Sequence, residues 1–82
     1  MFNLFNRRNG QNKLPQILDL DDNPLTEGDL VDCLRYDMGK CKLILEGTEW
    51  FYESVETGER VSYVKMIDAI TTKQKVRKIT SQ

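Results

Sequence analysis

Glycines at positions 39, 47 and 58 divide residues 30–64 into short runs rich in Val, Ile, Leu and aromatic residues. None of these runs is long enough to make a stable helix on its own. Short runs of this composition, separated by Gly-bearing turns, are the mark of successive antiparallel strands. The spacing predicts strands over residues 30–35, 41–46, 49–54 and 60–64. Thr26-Glu27-Gly28-Asp29 supplies the turn chemistry that leads into the first of them.

Register follows from the turns. Gly47-Thr48 suits a two-residue type II′ hairpin, which wants Gly first. That turn sets Leu45 opposite Trp50, Ile44 opposite Phe51, Leu43 opposite Tyr52 and Lys42 opposite Glu53. It also sets Glu46 against Glu49, an unfavourable like-charge pair. Because side chains alternate across a strand, Leu43, Leu45, Trp50 and Tyr52 share a face and form the expected core. A first-hairpin loop centred on Asp37 sets Cys33 opposite Cys41 and Val31 opposite Leu43, with both cysteines on that core face.

The other face of the middle strands carries Ile44 and Phe51. A sheet apolar on both faces needs cover on both, or curls into a barrel. The expected cover is Ile67, Ile70 or Val76 from the C-terminal segment. Left uncovered, Ile44 and Phe51 are the candidate protein contact.

The ends of the chain are less regular. Tyr63, Met66, Ile67 and Ile70 have helical spacing, and Val76 and Ile79 continue one face. Asp68 or Thr72 is placed to cap a turn. This spacing favours a short C-terminal helix over a closing strand at residues 75–79. Residues 1–13 read as a flexible arm whose only apolar groups are Phe2, Leu4 and Phe5, with a docked Phe2/Phe5 as the alternative. Residues 14–20 are a short helix or an apolar segment laid along the domain, ended by Asp21-Asp22-Asn23-Pro24. The expected organisation is an arm and leading segment over residues 1–24 and a small β domain over residues 25–82. The fold class is mainly β: an antiparallel meander or small barrel closed by a short helix or strand.

The chain of 82 residues holds one core. Its net charge of −1 hides a pattern. Arg7, Arg8 and Lys13 lie at one end, and Lys65, Lys73, Lys75, Arg77 and Lys78 at the other, around a middle rich in Asp and Glu. The expectation is that these solvated faces attract each other. Two cysteines, no signal-peptide pattern and no stretch of spanning length point to a cytoplasmic protein without a membrane partner.

The usual chemistry is missing. With no histidine, the commonest general base and metal ligand is absent. Cys33 and Cys41 do not form a C-x-x-C motif and read as structural thiols. Asp19, Asp21 and Asp22 lack the Gly and distal Glu of a calcium loop, so they read as a solvated loop, with a weak divalent-cation site as the alternative. No phosphate-cradling glycine pattern occurs. No catalytic, cofactor-binding or metal-binding residue is assigned, and an enzyme ranks last among the readings.

Leu25, Gly28-Asp29, Val31 and Gly39-Lys40 resemble the opening of SH3-like small barrels, the group that includes KOW and Tudor modules. The resemblance covers roughly half of the chain. It implies a Gly-Asp turn leading into a strand whose alternate residues fill a barrel, in a recognition fold that hosts RNA, peptide and ribosome binders. The sequence departs from a KOW pattern by lacking a second Gly just before Gly39, and from the Tudor type by lacking a clear aromatic cage. The leading expectation is a non-catalytic interaction module that binds another protein through Ile44 and Phe51 or a sheet edge. The alternative is an RNA- or DNA-associated barrel. It would use Lys73, Lys75, Arg77 and Lys78, with Tyr36, Phe51 or Tyr63 as stacking aromatics.

Overall fold

The computed structural model describes residues 16–80; the expectations for the arm over residues 1–13, and for Leu14, lie outside them. The fold is one antiparallel sheet of five strands: β1 (Leu30–Cys33), β2 (Gly39–Glu46), β3 (Glu49–Ser54), β4 (Arg60–Ser62) and β5 (Val76–Lys78). The strand order is β4-β3-β2-β1-β5, a meander whose last strand returns beside the first. The sheet is open, with β4 and β5 at its two edges.

The second hairpin has the register its turn demands. Leu43 pairs with Tyr52, Ile44 with Phe51, Leu45 with Trp50 and Glu46 with Glu49. Gly47 takes a positive φ of 64° and Thr48 does not, as a type II′ turn requires. The Glu46–Glu49 repulsion is relieved by neighbours on β4. Arg60 pairs with Glu46, and the Ser62 hydroxyl donates to Glu49 at 2.7 Å.

The first hairpin corrects the expected register. Cys33 lies opposite Gly39 and Val31 opposite Cys41, two positions from the expected pairing. The loop is tightened by Tyr36 and Asp37, both left-handed at φ 64° and 54°. A shift of two keeps side-chain parity, so both cysteines still face the core.

Val31, Cys33, Cys41, Leu43, Trp50, Tyr52 and Val76 are buried on one face of the sheet, with Leu45 and Val61 packed beside them. The opposite face is solvated. Asp32 lies between Lys40 and Arg77, and Glu53 lies between Lys42 and Arg60, so charges alternate across the strands. A one-sided antiparallel sheet needs cover on one face only.

That cover comes from both ends of the described chain. The expected C-terminal helix is not formed. A single 3-10 turn, Tyr63–Met66, follows β4, and residues 76–78 form the closing strand β5, antiparallel to β1. The helix fails for local reasons. Ile70, Thr71 and Thr72 are β-branched and disfavour a helix. The Asp68 carboxylate accepts from the Thr71 N–H (3.1 Å) and hydroxyl (2.7 Å), and Thr72 turns left-handed at φ 62°. The segment folds back so that Ile67 bridges Gln74. Met66 and Gln74 are buried over the core, where the Tyr52 hydroxyl donates to Gln74 Oε1 at 2.7 Å.

The leading segment lies along the domain. Ile17 and Leu25 are both buried, and the Leu25 N–H donates to the Ile17 carbonyl at 2.9 Å. The packed unit therefore includes residues 17–24 together with those from Leu25 onward. Trp50 is almost fully buried as a member of the core. Trp50→Ala is expected to cost about 3–5 kcal/mol in denaturant melts, and a loss near zero would place its ring outside the core.

Candidate functional site

The acidic cluster is split: Asp21 and Asp22 are exposed, as a solvated loop has them, and Asp19 is not. Asp19 is fully buried. Its Oδ1 accepts from the N–H groups of Asp21 (2.9 Å) and Asn23 (2.8 Å). Its Oδ2 accepts from Asn23 Nδ2 (3.1 Å) and from the N–H of Lys78 on β5 (2.7 Å). Burial pushes the Asp19 carboxyl up, but these hydrogen bonds outweigh burial and hold it below the usual Asp value. Among the described residues no group of His, Cys, Asp and Glu side chains could hold a metal ion.

The basic residues of the C-terminal segment face acids. Lys73 pairs with Asp22 at 2.5 Å, Lys75 with Asp68 at 3.5 Å, Arg77 with Asp21 at 3.7 Å and Lys78 with Asp29 at 3.5 Å. All four candidate nucleic-acid contacts are thus opposed by a local carboxylate. The basic C-terminal end of the charge pattern thus meets acids, three of them from the acidic stretch before β2, while Arg7, Arg8 and Lys13 lie outside the described residues.

Ile44 and Phe51 are half-buried neighbours on the solvated face, apart from the core cluster. The three residues expected to cover them do not form a second core. Val76 is buried on the opposite face, while Ile67 and Ile70 are exposed, Ile70 at 90%. Both cysteines are free and buried. Burial first, and then the neighbouring thiol of Cys41, pushes the Cys33 thiol far up, and burial also raises Cys41. Both shifts run opposite to the lowering that activates a catalytic thiol.

The structure brings together residues that the sequence pattern did not. The β1–β2 loop lies against the 3-10 turn. Arg35 Nη1 donates to the Lys65 carbonyl at 2.7 Å, and the Tyr36 hydroxyl reaches the same oxygen at 3.3 Å. The Arg35 guanidinium lies 6.0 Å from the Tyr36 ring centroid. Farther along, the Leu34 N–H donates to the Lys75 carbonyl (3.1 Å), and the Lys75 N–H donates to that of Met66 (2.6 Å). Leu34, Tyr36, Val64 and Ile67 are all exposed along this seam. Beside it lies a depression of about 260 Å³ lined by Tyr36, Met38, Glu59, Arg60, Val61 and Lys65. Tyr36 is 56% exposed, with its hydroxyl held and its backbone left-handed, a costly conformation for a bulky residue. The sequence names Tyr36 only as a stacking aromatic and places Leu34 inside the first strand. The helical spacing around Met66 concealed the rest by implying that Ile67 and Ile70 were inward.

Comparison with protein-family models, curated proteins and solved structures finds no match to this chain. Among the described residues no helix is long and apolar enough to cross a membrane.

Two outcomes are expected. Asp19→Ala strands buried N–H donors and should cost roughly 3 kcal/mol or more in denaturant melts. A carboxyl held low in the folded state contributes stability above its unfolded pKa and loses it as pH falls through the folded value. The pH dependence of wild-type melts below the usual Asp range should therefore shrink in Asp19→Asn. For the cysteines, a thiol reagent should label folded protein far more slowly than denatured protein, and fast labelling of both would contradict their burial.

Proposed function

We propose that this chain is a non-catalytic, SH3-like recognition module that binds another protein at the depression between the β1–β2 loop and β4. The observation that carries this reading is the ordered, exposed Tyr36 ring beside Met38 and Val61, ringed by Arg35, Arg60 and Lys65. A rigid aromatic with an apolar body and a fixed polar tip makes a contact anchor at low entropic cost. Two features support the small-barrel reading. The Gly28-Asp29 turn leads into β1, whose alternate residues Val31 and Cys33 fill the core, and β5 returns to pair with β1. A cytoplasmic location belongs to the same reading, and two free, buried cysteines are compatible with it.

The nucleic-acid reading has less support, because each cation of the basic segment is opposed by a carboxylate. A broad unopposed basic field is what phosphate binding needs. The two readings separate in one pair of measurements. Lys65→Glu should leave melting within about 0.5 kcal/mol of wild type, since that side chain is exposed. Tyr36→Ser gives up the hydroxyl contact to the Lys65 carbonyl and should stay folded at a cost of about 1 kcal/mol. Both should lose a partner that wild type retains from cell extract and that is identified by mass spectrometry. Retention of the same partner by both variants would end the protein-binding reading of this depression. Salt-dependent binding of single-stranded RNA, lost on reversing Lys73 and Lys75, would replace it with the nucleic-acid one.

A further inference from the structure

The two edges of the sheet differ. On the β1 side of β5, the Leu34 N–H donates to Lys75 and the Ile79 N–H to Leu30. The alternation of an antiparallel ladder then turns the main-chain groups of Val76 and Lys78 away from β1. The leading segment meets them. The Val76 carbonyl accepts from the Leu20 N–H at 3.1 Å, and the Lys78 N–H donates to Asp19 at 2.7 Å. At β4 the Ser54 N–H donates to the Glu59 carbonyl at 2.8 Å. The same alternation turns the N–H and C=O groups of Arg60 and the N–H of Ser62 away from β3, while the Ser62 C=O caps the start of the 3-10 turn. Among the described residues no hydrogen bond reaches the Arg60 groups or the Ser62 N–H. One edge is capped and the other is open.

The open edge adjoins the depression. Val61 faces the core side of β4 and lines the depression with Met38 and Tyr36. On the other side of the sheet stand Glu46, Glu49 and Glu53. Arg60 serves Glu46 and Glu53, while Glu49 is held by the Ser62 hydroxyl and by no cation among the described residues. A strand laid beside β4 would point successive side chains alternately into the depression and toward these carboxylates.

We propose that the outer edge of β4 accepts an extended segment of a partner protein as an added antiparallel strand. One apolar side chain of that segment enters the Tyr36–Met38–Val61 depression, and a Lys or Arg on its other face lies beside Glu49. This rests on the protein-binding reading above and adds how the partner is held. Residues 60–62 offer few main-chain bonds, so the edge alone binds weakly. The apolar side chain supplies the affinity, and the exposed carboxylates set register and choice of partner.

The test uses the full chain and a capped synthetic peptide of alternating Lys and Val, followed by amide NMR. Expected are shifts at Tyr36, Arg60, Val61 and Ser62, slowed exchange of the Ser62 N–H, and binding at least about tenfold weaker for a Glu-Val peptide. Ser62 has φ −67° and ψ 145°, which proline adopts without strain. Ser62→Pro therefore removes the edge N–H and leaves the β3–β4 ladder, while Ser62→Ala loses the same hydroxyl and keeps the N–H. Ser62→Pro should weaken the Lys-Val peptide by about tenfold relative to Ser62→Ala, with thermal melts showing both folded. Equal binding by the two variants would overturn the proposal, as would a Glu-Val peptide that binds as tightly, or no binding of either peptide. Sedimentation showing a dimer that Ser62→Pro abolishes would also overturn it, in favour of a second copy on the edge. Loss of the peptide in Tyr36→Ser but not in Ser62→Pro would leave the depression standing as the site and remove the edge alone.

Discussion

The buried carboxylate of Asp19 holds the architecture together. A one-sided sheet of this size needs its core covered and its edges settled, and Asp19 contributes to both. By gathering the N–H groups of Asp21 and Asn23 it closes the turn that brings Ile17 and Leu25 over the core. By accepting from the N–H of Lys78 it joins that turn to β5, from the other end of the sequence. A charge in such a place would be expensive to desolvate unmet. Here its oxygens are filled by donors, and the carboxylate is favoured over the neutral acid. The position of β5, and with it the blocking of that edge, depends on this arrangement.

The ion pairs around it act differently. Asp21, Asp22, Asp29 and Asp68 each lie within 4 Å of a cation from residues 73–78, but most of these side chains are partly exposed. Pairs of that kind contribute at most about 1 kcal/mol each. Their larger effect is on the field. The basic C-terminal segment, the alternative nucleic-acid contact in the sequence, meets a carboxylate at each of Lys73, Lys75, Arg77 and Lys78, which lowers the local positive field.

What was legible in the sequence tracks how local its cause is. The β2–β3 register was readable because Gly47 dictates one turn type and a two-residue loop admits one pairing. The first hairpin was displaced by two because its turn is made by Tyr36 and Asp37 in left-handed backbone, for which no glycine gave warning. Parity survived, and with it the burial of both cysteines. The C-terminal segment was misread because Met66 and Tyr63 do pack inward, while the turn at Asp68 and the left-handed Thr72 reverse the chain before a helix can form. Asp19 looked like one of three solvated acids. Nothing in its neighbours signals that a main-chain N–H far along the sequence completes its shell. The Tyr36 depression was hidden for the same reason, since it joins the β1–β2 loop to β4 and the 3-10 turn across the open side of the sheet.

The contrast between the two edges bears on how such a fold remains discriminating. An exposed strand edge is a hazard because it pairs with any extended chain. Residues 18–20 and the Asp19 carboxylate remove that hazard at β5. At β4 the edge remains, but it is cut short by the 3-10 turn at Tyr63 and carries a charged residue at Arg60. Few main-chain bonds are on offer, too few to hold an arbitrary strand against the entropy of ordering it. Under the proposed strand addition, only a segment that also filled the apolar depression beside Val61, and suited the carboxylates on the opposite face, would gain enough to stay. Shortness of β4 would then act as a filter, moving affinity from the backbone, which every chain shares, to side chains, which differ from one partner to the next.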